Sequence, residues 1–92
     1  MWEEIGFLKR SRTSKEILKC LDIPKTPSEL KGILKLHLAS ISRALLKLEK
    51  MGLAKCLNPK ADKFRIYSIT KRGKAILKQL GIMENKTKQT PP

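Results

Sequence analysis

A chain of 92 residues can close one small domain around one core, and its 40% hydrophobic content suffices to fill that core. Its 21 Lys and Arg against 8 Asp and Glu give a formal net charge of +13, more than solubility needs, which implies a polyanionic partner such as nucleic acid or an anionic surface. No apolar run approaches the roughly 18 residues of a membrane span, and the opening MWEEIGFLKR has acidic residues and too short an apolar stretch for a signal peptide, so a cytoplasmic protein is expected.

Trp2, Ile5 and Leu8 stand at helical spacing and predict a short amphipathic first helix anchored by the lone tryptophan. Thr13 with Glu16 three residues on has the form of a capping box, so a second helix is expected over about 14–21 with Ile17, Leu18 and Leu21 inward. Pro24 ends it and leaves Ile23 to Lys25 as a short extended link. Thr26, Pro27 and Glu29 then combine an N-cap hydroxyl, a proline at the first helical position and a capping-box glutamate. A third helix therefore opens at Pro27, with Leu30, Ile33 and Leu34 on one face. About three residues around Lys35 and Leu36 form a tight turn. Beyond it Ile41, Leu45 and Leu48 mark a longer fourth helix that Gly52 stops, with Lys47 and Lys50 in the last turns, where cations suit the helix dipole.

With Ile41, Leu45 and Leu48 inward, the outer strip of that helix carries Ala39, Arg43, Leu46, Lys47 and Lys50, flanked by Ser40 and Ser42 and free of acidic residues. A solvated helix face normally mixes both signs, so small residues followed by cations alone suit an approach to phosphates and base edges. After Gly52 the period shifts toward two. Residues 53–57 and 64–70 are expected as strands of a hairpin, with Tyr67 and Ile69 inward and Lys60, Lys63 and Arg65 around the tip. Thr70 caps a last helix from Lys71 to about Gly81, striped by Gly73, Ile76, Leu77 and Leu80. The tail ENKTKQTPP over 84–92 has no apolar pattern and is expected to be disordered.

Cys20 and Cys56 have 35 residues between them and no ligand spacing, and are read as small buried thiols of a reducing compartment. His37 has no partner at ligand spacing and is read as a helix-start residue near phosphates, so neither metal nor cofactor is expected. With one His, no paired carboxylates on a common face, no Gly-rich phosphate loop and no nucleophile beside a base, no catalytic residue is assigned and an enzyme is not expected.

The run SELKGILKLHLASISRALLKLEKMGLA followed by KCLNPKADKFRIYSITKRGKAIL resembles the winged helix-turn-helix domain of archaeal and bacterial ArsR/MarR-type transcriptional regulators. The pieces that carry the resemblance are Ser42 to Leu45, Leu48 to Leu53, and Tyr67 to Lys74 after the hairpin. It covers about 11–80. The chain departs from the pattern at Lys35, where such families place Gly in the turn, and at His37, where they often have Ser or Thr. The Cys-rich metal-sensing motif of many ArsR-type proteins is also missing, so metal sensing is not carried over. The resemblance implies a third, minor strand from the 23–25 link, and dimerisation through terminal helices; here Trp2, Ile5, Leu8, Leu80, Ile82 and Met83 would supply the contact. Packing of the two ends against each other within one monomer is the competing reading.

These readings give an α+β, mainly α fold: a winged helix-turn-helix with a three-helix core, a β-hairpin wing and flanking terminal helices over 1–83. The expected function is sequence-specific binding of double-stranded DNA as a transcriptional regulator. The recognition helix, about 38–51, would lie in the major groove. Arg43 is the candidate for bidentate contact with guanine, and Ala39 and Ser40 for base edges or thymine methyls. Ser42, Lys47, Lys50, Lys60, Lys63 and Arg65 would position the domain on phosphates. The alternative is a winged-helix protein-interaction module in a transcription or replication assembly. RNA binding is disfavoured because Trp2, Phe7, Phe64 and Tyr67 are the only aromatics for stacking and most are expected inside.

Overall fold

The computed structural model describes residues 2–88, with side chains over 2–82. Within that span the order is α1 (Trp2–Arg10), α2 (Arg12–Cys20), α3 (Pro27–Leu34), α4 (Leu38–Lys50), β1 (Ala54–Cys56), β2 (Tyr67–Ile69) and α5 (Lys71–Lys88). Helices α2, α3 and α4 form the three-helix centre, β1 and β2 the antiparallel wing, and α1 and α5 flank them: a winged helix-turn-helix. One core joins all of these elements, centred on Leu8, Ile17, Leu30, Ile41, Leu48 and Ile76. No helix among the described residues is long and apolar enough to cross a membrane.

The start of α3 forms as its sequence signals predict. Thr26 Oγ1 accepts from the Glu29 amide at 3.2 Å, and the Glu29 carboxylate accepts from the Thr26 amide at 2.9 Å. Those bonds, from the Thr26 backbone and then its hydroxyl, hold the Glu29 carboxyl below the usual carboxylate range. Three residues separate α3 from α4. Lys35, which stands where glycine is the family habit, takes the left-handed conformation itself, at φ 56° and ψ 45°, and its amide bonds to the Lys31 carbonyl at 2.8 Å. At the other end of α4, Gly52 adopts φ +75°, and the Leu53 amide reaches back to the Leu48 carbonyl at 2.9 Å, a glycine-terminated C-cap.

The link after α2 pairs with the wing as expected of a third strand: Lys25 and Tyr67 exchange backbone hydrogen bonds of 2.9 and 2.8 Å. Thr70 caps α5, its hydroxyl accepting from the Gly73 amide at 3.0 Å. Gly73 is buried because the end of the wing passes directly over it. A Cβ there would stand 2.2 Å from the Leu53 carbonyl oxygen and 2.7 Å from the Ile69 side chain.

Several expectations need correction. Helix α2 begins two residues earlier than predicted, at Arg12, because Ser11, not Thr13, is its N-cap, accepting from the Ser14 amide at 3.3 Å; a single residue joins α1 to α2. Trp2 does not anchor α1, being 72% exposed. The inward face of α1 is set by Glu4, Ile5 and Leu8, and Glu4, bonded to the Arg72 guanidinium of α5, takes the position that an apolar anchor would fill. The strands are shorter than predicted, three residues each, paired Ala54 to Ile69 and Cys56 to Tyr67. Ile5, Leu8 and Leu80 are core residues and cannot form an intersubunit contact, whereas Ile82 is half-exposed and the Met83 side chain lies outside the described residues. Helix α5 runs on to Lys88, past the expected stop near Gly81 and into the segment read as a tail, whose last residues, 89–92, lie outside the described residues.

Two substitutions of opposite sign test these backbone assignments. Gly73→Ala forces α5 away from the wing and should lower unfolding free energy by at least about 1 to 3 kcal/mol. Lys35→Gly removes a left-handed non-glycine residue and should raise it by about 0.5 to 1 kcal/mol after the added unfolded-state entropy of glycine. Urea denaturation of the two variants beside the parent reads both signs.

Candidate nucleic-acid interface

Helix α4 buries Ile41, Ala44, Leu45 and Leu48, and at 100° per residue this turns Ala39, Arg43, Leu46, Lys47 and Lys50 to the far side. All five are exposed. Leu46 is 56% exposed, so its absence from the core is real, and it lies in a surface depression with Arg43, Lys47, Glu49 and Lys50. Glu49 is the acidic group beside this strip. His37 is the N-cap of α4, in extended conformation, and its side chain makes no capping hydrogen bond.

Two shallow grooves flank the helix and divide the predicted contact residues. Toward α1 and α2, Ser40, Arg43 and Lys47 share a depression with Phe7, Ser11 and Thr13. There the Lys47 ammonium stands 5.8 Å from the centroid of the Phe7 ring, a cation–π distance. On the other side, Ser42 and Leu38 line a groove with Asp62, Lys63, Phe64 and Arg65 of the wing and with Thr26 and Pro27. The helix and the wing therefore border one surface. Arg43 and Lys47 take part in both the α1 groove and the outer depression.

The wing loop between β1 and β2 is held by its own side chains. Asn58 Oδ1 accepts from the Ile66 amide at 2.7 Å while its Nδ2 donates to the Phe64 carbonyl at 3.1 Å. Arg65 Nε donates to the Ala61 carbonyl at 3.0 Å, and the Ala61 amide to the Asn58 carbonyl at 2.9 Å. Lys60, Lys63 and Arg65 are all exposed on this loop, with Asp62 among them. The residue that sequence reasoning missed is Phe64. Read as the first residue of the second strand, and counted among aromatics that are mostly inside, it is instead 78% exposed with φ 56°. Asn58 carries the signal: an asparagine at the head of a turn folds the loop onto its own side chain and ends the ladder early.

The thiols lie apart from this surface. Cys20 and Cys56 are both free and half-buried against the core; burial pushes the Cys20 thiol above its ordinary value, and Cys56 Sγ lies 3.5 Å from Asn58 Oδ1. Among the described residues no group of three His, Cys, Asp or Glu side chains could hold a metal ion.

By sequence, no family model and no curated protein matches the chain. Solved structures do. A mutant of ZitR from Lactococcus lactis aligns with TM-score 0.74 and 24% identity over 87% of this chain and 56% of its own. A MarR family transcription regulator gives 0.71 and 27%, over 82% and 52%, and the reduced form of MarR from E. coli 0.68 and 28%, over 84% and 59%. The chain thus spans little more than half the length of these structures. The second of these is a transcription regulator by name, and the multiple antibiotic resistance repressor MarR also aligns, at 24% identity. With three central helices, a hairpin wing and flanking terminal helices, the chain shares the winged helix-turn-helix fold of these MarR-type structures.

Proposed function

We propose that this domain binds double-stranded DNA sequence-specifically, as a cytoplasmic transcriptional regulator, with α4 in the major groove and the wing on the backbone or minor groove. The observation that supports the reading is that α4 exposes Arg43, Lys47 and Lys50 on its outer side while its Ser42 lines a groove with Lys63 and Arg65 of the wing loop, on which Lys60 is also exposed. A helix fits the major groove, and cations spread on either side of it can meet both phosphate strands. Arg43 is the base-reading residue, with Ala39 and Ser40 beside it, because its position mid-helix gives a bidentate guanidinium access to guanine. Ser42, Lys47, Lys50 and the wing cations hold phosphates. Leu46 finds a role here as an apolar contact to a thymine methyl. The same Leu46 favours the other reading, a protein-docking face, for which binding would survive high salt.

Terminal helices would pair two such domains. Since Ile5, Leu8 and Leu80 belong to the core, the apolar contact falls to Trp2 and Ile82, which are 72% and 45% exposed.

Titration of duplex DNA at several salt concentrations tests the central claim. With about four to six phosphates neutralised per subunit, log K against log salt should fall with a slope of roughly −4 to −5 per subunit, and a flat line would exclude DNA as the partner. On duplexes selected from a random pool, Arg43→Ala should cost about 1 to 3 kcal/mol while scarcely altering binding to unrelated DNA. Lys60→Ala with Lys63→Ala should weaken binding to all duplexes alike and reduce the salt slope by about one per lost contact. Equal losses from both variants on both kinds of DNA would make Arg43 a phosphate clamp. For the pairing of domains, Trp2→Glu with Ile82→Glu should give a folded monomer by light scattering and circular dichroism; an unchanged mass would place the interface elsewhere.

A further inference from the structure

Phe64 is the most exposed large apolar side chain among the described residues, at 78%. It is also in the left-handed backbone region, φ 56°, which a bulky residue adopts only when its surroundings impose it. An exposed apolar ring and a strained backbone are both unfavourable, yet the loop is built to maintain them. Asn58 grips the Phe64 carbonyl and the Ile66 amide with the two ends of one side-chain amide, the Leu57 amide bonds the Ile66 carbonyl at 2.7 Å, and Arg65 is tied to the Ala61 carbonyl. Leu57, Asn58, Ala61, Arg65 and Ile66 are thus fixed around a ring that is not part of the core.

The neighbours of that ring name its partner. Lys63 and Arg65 flank it in sequence and line the same groove, and Lys60 stands on the preceding turn. An apolar tip with a cation on either side and three cations to the one carboxylate of Asp62 fits neither a protein core nor ordinary solvent. It fits a surface with negative walls and a floor of stacked rings and sugars, which is the minor groove of duplex DNA. We propose that Phe64 is an apolar wedge that the wing places in the minor groove, while Lys63 and Arg65 hold the phosphates on its two sides. This rests on the DNA-binding reading above and adds to it a contact that is not electrostatic. Because the ring meets sugars and base edges rather than phosphate, its contribution is independent of salt, and because it presses between base steps it loosens their stacking.

The test uses the full chain on a duplex recovered by selection, with 2-aminopurine placed in turn at each step flanking the site. Phe64→Gly removes the ring and relieves the backbone, and Phe64→Leu keeps apolar bulk. Phe64→Gly should raise Kd roughly five- to twentyfold at every salt concentration without changing the salt slope, with a melting temperature equal to or above that of the parent, whereas Phe64→Leu should retain most of the affinity. The parent should brighten 2-aminopurine at one flanking step and Phe64→Gly should not. Equal Kd for parent and Phe64→Gly, or a loss of affinity matched by a fall in melting temperature with no 2-aminopurine response in the parent, overturns the wedge and leaves DNA binding standing. A parent that binds no duplex at low salt overturns the DNA reading itself.

Discussion

Four chain segments meet at Gly52 and Leu53, and the geometry of the binding surface depends on the knot they form there. The Leu53 amide closes the end of α4 onto the Leu48 carbonyl, while the Leu53 carbonyl accepts the Thr70 amide at 3.0 Å. The Thr70 hydroxyl donates to the Gly52 carbonyl at 2.7 Å and accepts from the Gly73 amide. A single threonine thereby joins the last turn of α4, both roots of the wing and the first turn of α5. Leu53 is fully buried beneath the knot, so few of its polar groups could turn to water if a bond broke, and each is costly to leave unpaired. The angle between helix and wing, which decides whether both can touch one ligand, is fixed at this point and not along the short two-stranded ladder.

The wing itself needs such a root because it has little sheet. Three residue pairs make a ladder too short to be stable alone, and what extends its rigidity into the loop is side-chain chemistry centred on Asn58. On the inner side the Lys25 bridge adds a third backbone to β2, and Lys25 Nζ, bonded to the Cys20 carbonyl at 2.7 Å, closes the C-terminus of α2 at the same place. The wing is therefore braced from below by α2 and from its end by its own amide side chain, and its cations are held at set positions.

Most of this fold was legible because its signals are local. Thr26, Pro27 and Glu29 announce a helix start by bonds made within four residues, and Gly52 announces its end in the same way. The apolar stripes of α4 and α5 identify their buried faces because the helical period leaves one solution. What was not legible involves choices between equivalent local options. Ser11 and Thr13 are both competent caps, and only the carbonyl of Phe7, which takes the Ser11 amide at 2.9 Å, decides that α1 runs up to Ser11. Trp2 has the spacing of an anchor, but the charged pair of Glu4 with Arg72, 68 residues apart in sequence, claims the inner face. Phe64 has the composition of a strand residue, and the loss of its place follows from a bond to Asn58 six residues earlier. The candidate contact residues were legible as a set of cations, but their division between two grooves was not, since it depends on where α1 and the wing pass the helix.

That division bears on Lys47. Its ammonium shares space with the ring of Phe7, and α1, which carries Phe7, is joined to the rest of the chain by Ser11 alone and held by Glu4, Ile5 and Leu8. The surroundings of a charge that α4 presents are thus set in part by a different helix, since α1 supplies the aromatic face near which the Lys47 ammonium stands. A change in the seating of α1 would therefore alter the surroundings of an α4 cation as well as the core that Ile5 and Leu8 help to fill.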